Sequence, residues 1–545
     1  MLRSRVPTMS LVRTVARNSL WSGFDLIVDT VLPPIVSIIV ARAMGPAKLG
    51  AFSYVTWIST VAATLGGSGM ASAARKYMAD YAGQSRPDVF RAILRVGLAF
   101  QAMVSLLLVG AGLYWVFSSL PSDEHGFAIL AMISILPGGL MFMATAVNNA
   151  VEELRPNVIA SVAGGLVHAA GMCATLVMGW DLVGLAGALL ASKTCDCAVR
   201  WMLTKRRLPS YLRAMGASTD SLRDVARLPP GLAREIVKFF WQSTVLALLA
   251  IVVWNRSEMI FLKRYCDIRQ IAFYSVAFGL SLIPPQVVGP FSRAAGVSVF
   301  AEQGRNAKAG RNVAHLFWRY LVLLVLPVCL GLAALSGPLV RILYGVQYYE
   351  AAPVLLLAAA LSMFAPLAGP ATSLVTAAGG QGRLVRWGLL AAVATVALDY
   401  WLVRHYAAMG GALANGLGQA ISTIGTIVIA RRYVGFRTSL GFTLRVFLAA
   451  LGMAATVALF VHVVPDIVGV VGGMFVGVGA YLAFLRMARV VEAQDIDRLL
   501  RAESVLPNRV RSLYRRLVHI TARLSLTANG SSPVAATSES DRPPT

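Results

Sequence analysis

Acidic residues and cysteines are both scarce in this sequence. Only 14% of the 545 residues are charged, and 25 Asp and Glu stand against 49 Lys and Arg. Four of the five cysteines lie inside apolar segments, so they predict no disulfide framework. The segment Cys195-Asp196-Cys197 has no further ligands at metal-binding spacing. We therefore expect no metal site, and the shortage of charge argues against a soluble fold.

Motifs of catalysis and nucleotide binding are also missing. The sequence contains no Gly-x4-Gly-Lys-Ser/Thr loop, so ATP is not expected to act on the chain directly. It contains neither an HExxH motif nor a GxSxG elbow, and no large polar domain that could carry an acidic active site. We therefore expect neither enzymatic activity nor a cofactor.

Long apolar runs, by contrast, recur from one end of the chain to the other. Hydrophobic residues make up 57% of the sequence, and the mean hydropathy is +0.68. A bilayer core about 30 Å thick is crossed by about 20 helical residues. The sequence thus predicts an all-α polytopic membrane protein with about fourteen transmembrane helices. The predicted spans are approximately 21–41, 49–70, 93–117, 126–148, 158–179, 182–204, 240–262, 271–291, 314–335, 350–377, 387–403, 408–430, 442–462 and 466–486.

The basic residues indicate the orientation of the chain. A net charge of +24 would suit a nucleic-acid partner, but the basic residues lie in the connections between apolar runs. With the N-terminus inside, the outer connections hold only 8 of the 49 Lys and Arg, as the positive-inside rule requires. We expect both termini in the cytoplasm, no cleaved signal peptide and no nucleic-acid partner.

The chain contains a weak internal repeat. Ala51-Phe-Ser-Tyr-Val in span 2 matches Ala272-Phe-Tyr-Ser-Val in span 8, and Gly187-Ala-Leu in span 6 matches Gly411-Ala-Leu in span 12. The members of the two pairs lie 221 and 224 residues apart. Six spans separate equivalent positions, so both halves cross the membrane in the same direction. This predicts a parallel repeat about an axis along the membrane normal.

The repeat and the polar segments predict the domain organisation. The basic linker is expected to lie near anionic membrane lipids, and an apolar stripe in the tail indicates a helix on the inner leaflet or against the protein. The predicted regions are a six-helix lobe at 1–204, a basic cytoplasmic linker at 205–238, a second six-helix lobe at 239–435, a transmembrane hairpin at 436–486, an amphipathic cytoplasmic tail at 487–526 and a disordered tail at 527–545.

The first span carries two acidic residues. Asp25 and Asp29 lie one helical turn apart and therefore on one face, and Pro33-Pro34 follows them. A carboxylate that faces lipid costs about 3 kcal/mol even on the most lenient insertion scale. The pair is therefore either satisfied between packed helices or part of a transport pathway lined by a helix that bends at the prolines.

Helix-breaking residues occur in other spans as well. Pro137-Gly138-Gly139 interrupts span 4, and Pro366 with Pro370 interrupts span 10, its counterpart in the second half. Breaks at equivalent positions of two repeats point to a binding site in repeat transporters. The hinge candidates are Pro33, Pro34, Pro137, Pro284, Pro366 and Pro370.

Other charged residues within the spans are candidates for a substrate or ion pathway. They are Lys193, Asp196 and Arg200 in span 6, Arg256 and Glu258 in span 7, and Asp399 in span 11. Opposite charges at bilayer depth can form a structural ion pair, a proton or cation switch, or a charged wall for an anionic substrate. The sequence leaves these three roles open. Arginine would suit a diphosphate, which it binds with a planar fork.

Several motifs between residues 15 and 435 match a known pattern. ARAMGPAKLGAFSYVTWIST (Ala41–Thr60) precedes Gly69 and Arg75, and Asn255-Arg-Ser-Glu-Met-Ile-Phe-Leu precedes Ile271-Ala-Phe-Tyr-Ser-Val. Tyr344-Gly345 with Tyr348, and Asp399 before Gly410-Gly-Ala-Leu, follow in order. Together they resemble the polysaccharide flippases, the O-antigen and exopolysaccharide transporters of the multidrug/oligosaccharidyl-lipid/polysaccharide exporter superfamily. Glu258 stands where the family usually has Asp, and Asp399 where it usually has Asn.

The resemblance implies two six-helix lobes around a central cavity that opens alternately to each side. It also implies export of an undecaprenyl-diphosphate-linked oligosaccharide, with coupling to a proton or cation gradient. Family members often have a cationic cavity, for which Lys193, Arg200 and Arg256 are the candidates here. Spans 13 and 14 exceed the common twelve and are similar to those of the lipid II flippases, although the first span lacks the arginine-rich start of that group.

Three hypotheses for function follow. The first is a flippase for lipid-linked oligosaccharide in the bacterial cytoplasmic membrane, monomeric and working beside polysaccharide polymerase or glycosyltransferases. The second is a proton- or cation-coupled multidrug antiporter of the same fold, with Asp25 or Asp29 as the proton carrier. The third is a non-transporting scaffold that recruits a polysaccharide synthesis complex through its basic linker and tail.

Overall fold

The described part of the chain is built from α-helices and short turns and contains no strand. The computed structural model describes the backbone of residues 8–216, 228–464 and 466–490, and side chains from residue 37 onward except at 290, 293, 294, 297, 301, 304, 305 and 466. The helices are α1 (Thr8–Gly83), α2 (Pro87–Ser119), α3 (His125–Ile133), α4 (Ile135–Ala150), α5 (Arg155–Met178), α6 (Asp181–Ala214), α7 (Leu232–Trp254), α8 (Glu258–Tyr265), α9 (Ile268–Ser281), α10 (Ile283–Arg305), α11 (Ala307–Ala334), α12 (Ser336–Tyr344), α13 (Ala351–Leu361), α14 (Phe364–Leu367), α15 (Gly369–Ala377), α16 (Gln381–Val434), α17 (Leu440–Val463) and α18 (Asp466–Met487).

Two of these segments, α1 and α16, each consist of two helices joined at a kink. The backbone of α1 leaves the helical region at Gly45, with φ 76°, and that of α16 leaves it at Ala407, with φ 48°. A straight helix of 54 residues would be about 80 Å long, far longer than a bilayer is thick. Twelve helices of the described residues are long and apolar enough to cross a membrane.

The predicted interruptions of spans 4 and 10 are present. Ser134 separates α3 from α4, and Ser362 and Met363 separate α13 from α14. In each case a proline, Pro137 or Pro366, follows within a few residues. A proline lacks the N–H that would bind the carbonyl four residues earlier, so the helix ends there and restarts.

The other hinge candidates lie at two further breaks and within α1. Pro284 lies in the first turn of α10, directly after the break at Leu282, and Pro370 in the first turn of α15. The backbone of α1 stays helical through Pro33 and Pro34, whose side chains lie outside the described residues. The hinge role of all six prolines stays a prediction.

The helices form two six-span lobes and a hairpin. The first lobe contains α1 to α6, the second contains α7 to α16, and the hairpin of α17 and α18 packs against α11. The repeated motifs of spans 2 and 8 meet between the lobes, where Phe52 and Phe273 belong to one buried cluster. Gly50 permits this approach, because a Cβ there would lie 2.1 Å from the carbonyl oxygen of Ile268. The residues of the repeated motif therefore pack in the interface between the lobes.

Helices that alternate in direction give the molecule two ends. We call the end with the turns at 84–86, 151–154 and 435–439 the basic end, and the end with the turns at 266–267 and 345–350 the far end. The sequence predicts the basic end to be cytoplasmic. Part of the predicted linker, 217–227, and the predicted tails from 491 onward lie outside the described residues.

At the far end the two lobes are joined by polar contacts. The Nε of Arg42 donates to the carbonyl of Leu343 at 2.7 Å, and its Nη2 donates to the carbonyl of Ile342. The hydroxyl of the buried Tyr348 donates to the carbonyl of Ala41 at 2.9 Å. Arg42 thus neutralises the last carbonyls of α12, where the helix dipole is negative.

Candidate functional site

A helix break in span 7 shapes the most unusual polar site of the described chain. The hydropathy pattern predicts one continuous helix over 240–262, but α7 ends at Trp254 and α8 begins at Glu258. The carbonyl of Asn255, freed by the break, accepts a hydrogen bond from the Nδ2 of Asn415 at 2.7 Å. The break redirects the chain so that Ser257 and Glu258 point into the second lobe, where both are buried.

Glu258 and Asp399 are both completely buried, with 0% of their surfaces exposed. The hydroxyl of Tyr274 donates to Oε2 of Glu258 at 2.7 Å, and the hydroxyl of Ser257 donates to Oδ2 of Asp399 at 2.8 Å. The other oxygens of the two carboxyl groups, Oε1 of Glu258 and Oδ1 of Asp399, have no hydrogen-bond partner. Neither carboxyl group forms an ion pair with any described residue. The two groups are close enough to interact electrostatically.

Small and amide side chains build the walls around this carboxyl pair. Gly411 lets Tyr274 and Glu258 approach α16, since a Cβ there would lie 3.3 Å from the tyrosine ring. The Nε2 of Gln419 donates to Oδ1 of Asn415 at 2.7 Å. A cavity of about 100 Å³ extends from Tyr274 past Asn415 and Gln419, with Ser281 also on its wall. A cavity of this size with several polar partners can hold water.

Arg256 lies close enough to Glu258 to interact with it electrostatically but forms no ion pair with either carboxyl group. Its guanidinium carbon is 5.4 Å from the centroid of the Phe278 ring, and its Nε has no hydrogen-bond partner. A cation over an aromatic face gains roughly 0.5–2 kcal/mol, which partly offsets the loss of water. The guanidinium therefore keeps donors that an anionic ligand could bind.

The chemistry of this site follows from its charge. Burying a carboxylate without a cationic partner costs several kcal/mol, and two neighbouring carboxylates repel each other as well. Such a pair is stabilised when a proton or a metal cation joins it. The free oxygens Oε1 and Oδ1 are available for that purpose.

The first lobe contains a different arrangement, in which the charges are paired. The Nε and Nη2 of Arg200 donate to the two carboxylate oxygens of Asp196 at 2.8 and 2.9 Å. The same guanidinium donates to the hydroxyls of Thr145 on α4 and Ser161 on α5, each at 3.1 Å. Only 5% of Arg200 is exposed. This network uses the planar fork of Arg200 to join α4, α5 and α6.

The remaining candidates of the first lobe are described less fully. Lys193 is half-buried on α6 and lies near His168 of α5, whose Nε2 is buried without a partner. The side chains of Asp25 and Asp29 lie outside the described residues. The structure thus brings Glu258 and Asp399 together and pairs Asp196 with Arg200, whereas Lys193 and Arg256 join neither pair.

Sequence reasoning missed four neighbours of the carboxyl pair, namely Ser257, Tyr274, Asn415 and Gln419. A signal was present for two of them, because Asn415 and Gln419 are amides four residues apart in an otherwise small and apolar helix. Ser257 and Tyr274 gave no such signal, since serine and tyrosine are ordinary in membrane helices.

Comparison with known proteins agrees with this architecture. Residues 15–303 match the family model described as polysaccharide biosynthesis protein. The succinoglycan biosynthesis transport protein ExoT of Rhizobium meliloti (strain 1021) is 23% identical over 505 residues, which cover 88% of this chain and 94% of that protein.

Solved structures share the fold. The lipid II flippase MurJ in its inward closed conformation has a TM-score of 0.65 at 14% identity, covering 87% of this chain and 98% of that one. An inward-facing multidrug resistance transporter of the MATE family, from the MOP superfamily, has a TM-score of 0.60 at 15% identity, covering 74% and 94%.

These relatives are transporters and flippases rather than enzymes, and the chain is likewise a multi-span membrane transport protein and not an enzyme. The family match extends over more than half of the chain and includes the motifs of spans 2, 7 and 8. The chain therefore belongs to the polysaccharide biosynthesis protein family, the polysaccharide flippases of the multidrug/oligosaccharidyl-lipid/polysaccharide exporter superfamily.

Proposed function

We propose that this protein moves an undecaprenyl-diphosphate-linked oligosaccharide across the bacterial cytoplasmic membrane by alternating access, and that an ion gradient drives the cycle through Glu258 and Asp399. The observation that carries the coupling is the burial of two neighbouring carboxyl groups that form no ion pair with any described residue. Family membership and the similarity to a succinoglycan transport protein support the class of cargo.

The coupling mechanism rests on where the pair lies. Glu258 follows the break of span 7, and Asp399 lies eight residues before the kink of α16 at Ala407. Loading or unloading a proton or cation changes the charge of a buried site, where electrostatic interactions are screened less than in bulk water. The resulting free-energy change acts on two helix interruptions, which are the parts of the lobe that can bend at least cost.

For the cargo, we propose that Arg256 contributes to binding the diphosphate. Its Nε is unpartnered, and its guanidinium is held over Phe278 rather than by a carboxylate. Asp25, Asp29 and Lys193 are further candidates for the pathway. Asp196 and Arg200 are better explained as a structural pair, since four hydrogen bonds occupy the guanidinium.

The proposal also covers the oligomeric state, the orientation in the membrane and the partners of the protein. We propose that the protein works as a monomer with both termini in the cytoplasm and the basic linker near anionic lipids. Polysaccharide polymerase or glycosyltransferases would supply or receive its cargo. The predicted organisation into two lobes, a linker, a hairpin and two tail segments is retained.

The proposal is tested by complementing a flippase-null strain while the lipid-linked intermediate is measured. The wild-type chain should restore surface polysaccharide and prevent accumulation of the intermediate. Glu258→Gln and Asp399→Asn keep the size of each side chain but remove its charge, and both should stop export at normal membrane abundance. Asp123→Asn, at an exposed carboxylate of the far end, is the matched control and should export normally.

The alternatives give different results in the same strain. An antiporter would leave the intermediate accumulated and would instead raise resistance to cationic drugs. A non-transporting scaffold would leave the intermediate accumulated without raising drug resistance. Either outcome would contradict the proposal.

A further inference from the structure

A lateral groove on the second lobe has a composition that the transport cycle does not explain. It lies between the two halves of α16 near the basic end and has a volume of about 440 Å³. Its wall is apolar, and Arg432 is its single charged residue. Ile424 and Val428 on this wall are 56% and 42% exposed, as expected of side chains that face lipid.

The indole of Trp387 forms the floor of the groove. Its Nε1 donates to the carbonyl of Ser422 at 3.3 Å, so the polar edge of the ring is turned into the protein. The ring lies so close to Gly425 that a Cβ there would come within 1.8 Å of it. Gly425 therefore allows a flat aromatic surface to face outward, which suits a long apolar chain.

Arg432 lines the end of this groove, and three further exposed arginines belong to the two ends of α16. Arg383 and Arg386 belong to the first turns of α16, and Arg431 and Arg432 belong to its last turn. None of the four has a carboxylate partner among the described residues. Within α16 the only acidic residue is Asp399, which is buried far from this end. Arg383, in the first turn of α16, opposes the helix dipole, so an external anion would stabilise this end of the helix.

We propose that this groove is a binding site for one anionic phospholipid, with an acyl chain along Trp387 and Ile424 and the phosphate among the arginines. The leaflet is the one that the charge distribution predicts to be cytoplasmic. Positive charge at a helix end is common in membrane proteins, but here it coincides with an apolar groove that ends at an arginine. Both walls of the groove belong to α16, so movement of one lobe against the other does not remodel it. This favours a resident lipid over the transported cargo, and the inference does not depend on what the protein exports.

The test uses phosphatidylglycerol as the probe. The purified full-length protein is titrated with phosphatidylglycerol whose acyl chains carry bromine, which quenches tryptophan fluorescence on contact. The contribution of Trp387 is the quenching that Trp387→Phe removes. Phosphatidylcholine with the same acyl chains serves as the zwitterionic comparison, and the number of retained lipids is counted by native mass spectrometry.

Two substitutions address the two parts of the site. Arg432→Gln should lower the preference for phosphatidylglycerol over phosphatidylcholine about fivefold, the factor typical of one basic residue near an anionic surface. Arg445→Gln, at another exposed arginine near the basic end, is the matched control and should change it little. Ile424→Phe enlarges the side chain in the groove without adding a tryptophan and should strongly reduce the quenching specific to Trp387. Because Arg432 is exposed, its variant reports on the site even if Ile424→Phe fails to fold.

Other outcomes would overturn the proposal. Equal effects of Arg432→Gln and Arg445→Gln would indicate general surface attraction. Displacement of phosphatidylglycerol by undecaprenyl diphosphate at equal concentration would assign the groove to the cargo. A mass corresponding to two chains that Ile424→Phe dissociates would assign it to an interface between copies.

Discussion

At the scale of single residues, the two lobes neutralise buried charge in different ways. Asp196 accepts hydrogen bonds from the Nε and Nη2 of Arg200, and two hydroxyls accept further bonds from its Nη1 and Nη2. Glu258 and Asp399 receive one hydroxyl each and no cation. The Asp196–Arg200 network is fully hydrogen-bonded only when both side chains are charged. The Glu258–Asp399 pair has free oxygens and can bind or release a proton or a cation. This difference makes the first pair a structural element and the second a candidate for coupling.

A residue-scale prediction follows for Arg200. Arg200→Ala should destabilise the protein by about 3–5 kcal/mol, because it leaves the Asp196 carboxylate buried without a partner. Replacing both residues together, as Asp196→Leu with Arg200→Met, should recover most of the stability, since it removes both charges and keeps the volume. Thermal unfolding in detergent micelles, followed by circular dichroism, measures both effects.

The half-buried Lys193 on the same helix provides the control for this experiment. Lys193→Met should shift the unfolding temperature far less than Arg200→Ala, because no ion pair of Lys193 is broken. A double variant at Asp196 and Arg200 that is stable but no longer exports would show that the pair acts in transport, contrary to our interpretation.

At the scale of helices, the kinks and breaks position the candidate site. The chain reverses at Ala407, a residue held at positive φ, and the two halves of α16 meet immediately afterwards. Gly410 is required at this point, because a Cβ would lie 2.0 Å from the carbonyl oxygen of Leu402. The close approach in turn sets Gly411 against Tyr274 and Glu258. A tight hairpin in α16 is therefore a condition for the geometry around the carboxyl pair.

We predict that Gly410→Ala destabilises the protein by about 1–3 kcal/mol, the range typical of overpacking, and lowers export as well. In the same helix, Gly382→Ala should be neutral or slightly stabilising, because a Cβ at this position would have no atom within 4 Å and alanine favours the helix. The unfolding temperature and the surface polysaccharide of both variants are compared with those of the wild type. Equal tolerance of the two substitutions would mean that the hairpin can relax.

At the scale of the whole molecule, the far end is closed by contacts between the lobes. Arg42 and Tyr348 link the end of the first half of α1 to the turn after α12, and the Nε2 of Gln347 adds a bond of 3.2 Å to the carbonyl of Arg42. In alternating access these contacts must break whenever the far side opens. They are few and partly exposed, which suits a closure that is made and broken repeatedly.

A cross-link across this closure should stop transport. In a chain whose five native cysteines are replaced, Arg42→Cys with Gln347→Cys is joined by a short bifunctional methanethiosulfonate. Export should stop and should return after a reducing agent is added. Lys48→Cys with Asp181→Cys is the control, because these side chains are 2.5 Å apart within the first lobe. Unimpaired export with the Arg42–Gln347 link in place would contradict opening at the far end.

Much of the fold could be predicted from the chain alone. Hydropathy predicts the order of the helices, and the prolines at 137 and 366 predict interruptions that are present. The Asp196–Arg200 pair could also be predicted, since helical geometry places residues four apart on the same face. The break between Trp254 and Glu258 could not be predicted, because the segment 240–262 is apolar enough for one continuous helix.

The sequence by itself determined that this is a polytopic helical membrane protein of the polysaccharide flippase family, because hydropathy, charge distribution and motifs are properties of short segments. Only the tertiary structure decided which of the intramembrane charges are neutralised. Ser257 and Asp399 are 142 residues apart and meet through a broken helix, a kink and two adjacent glycines. Such a contact depends on how distant helices pack, and no local pattern of residues records it.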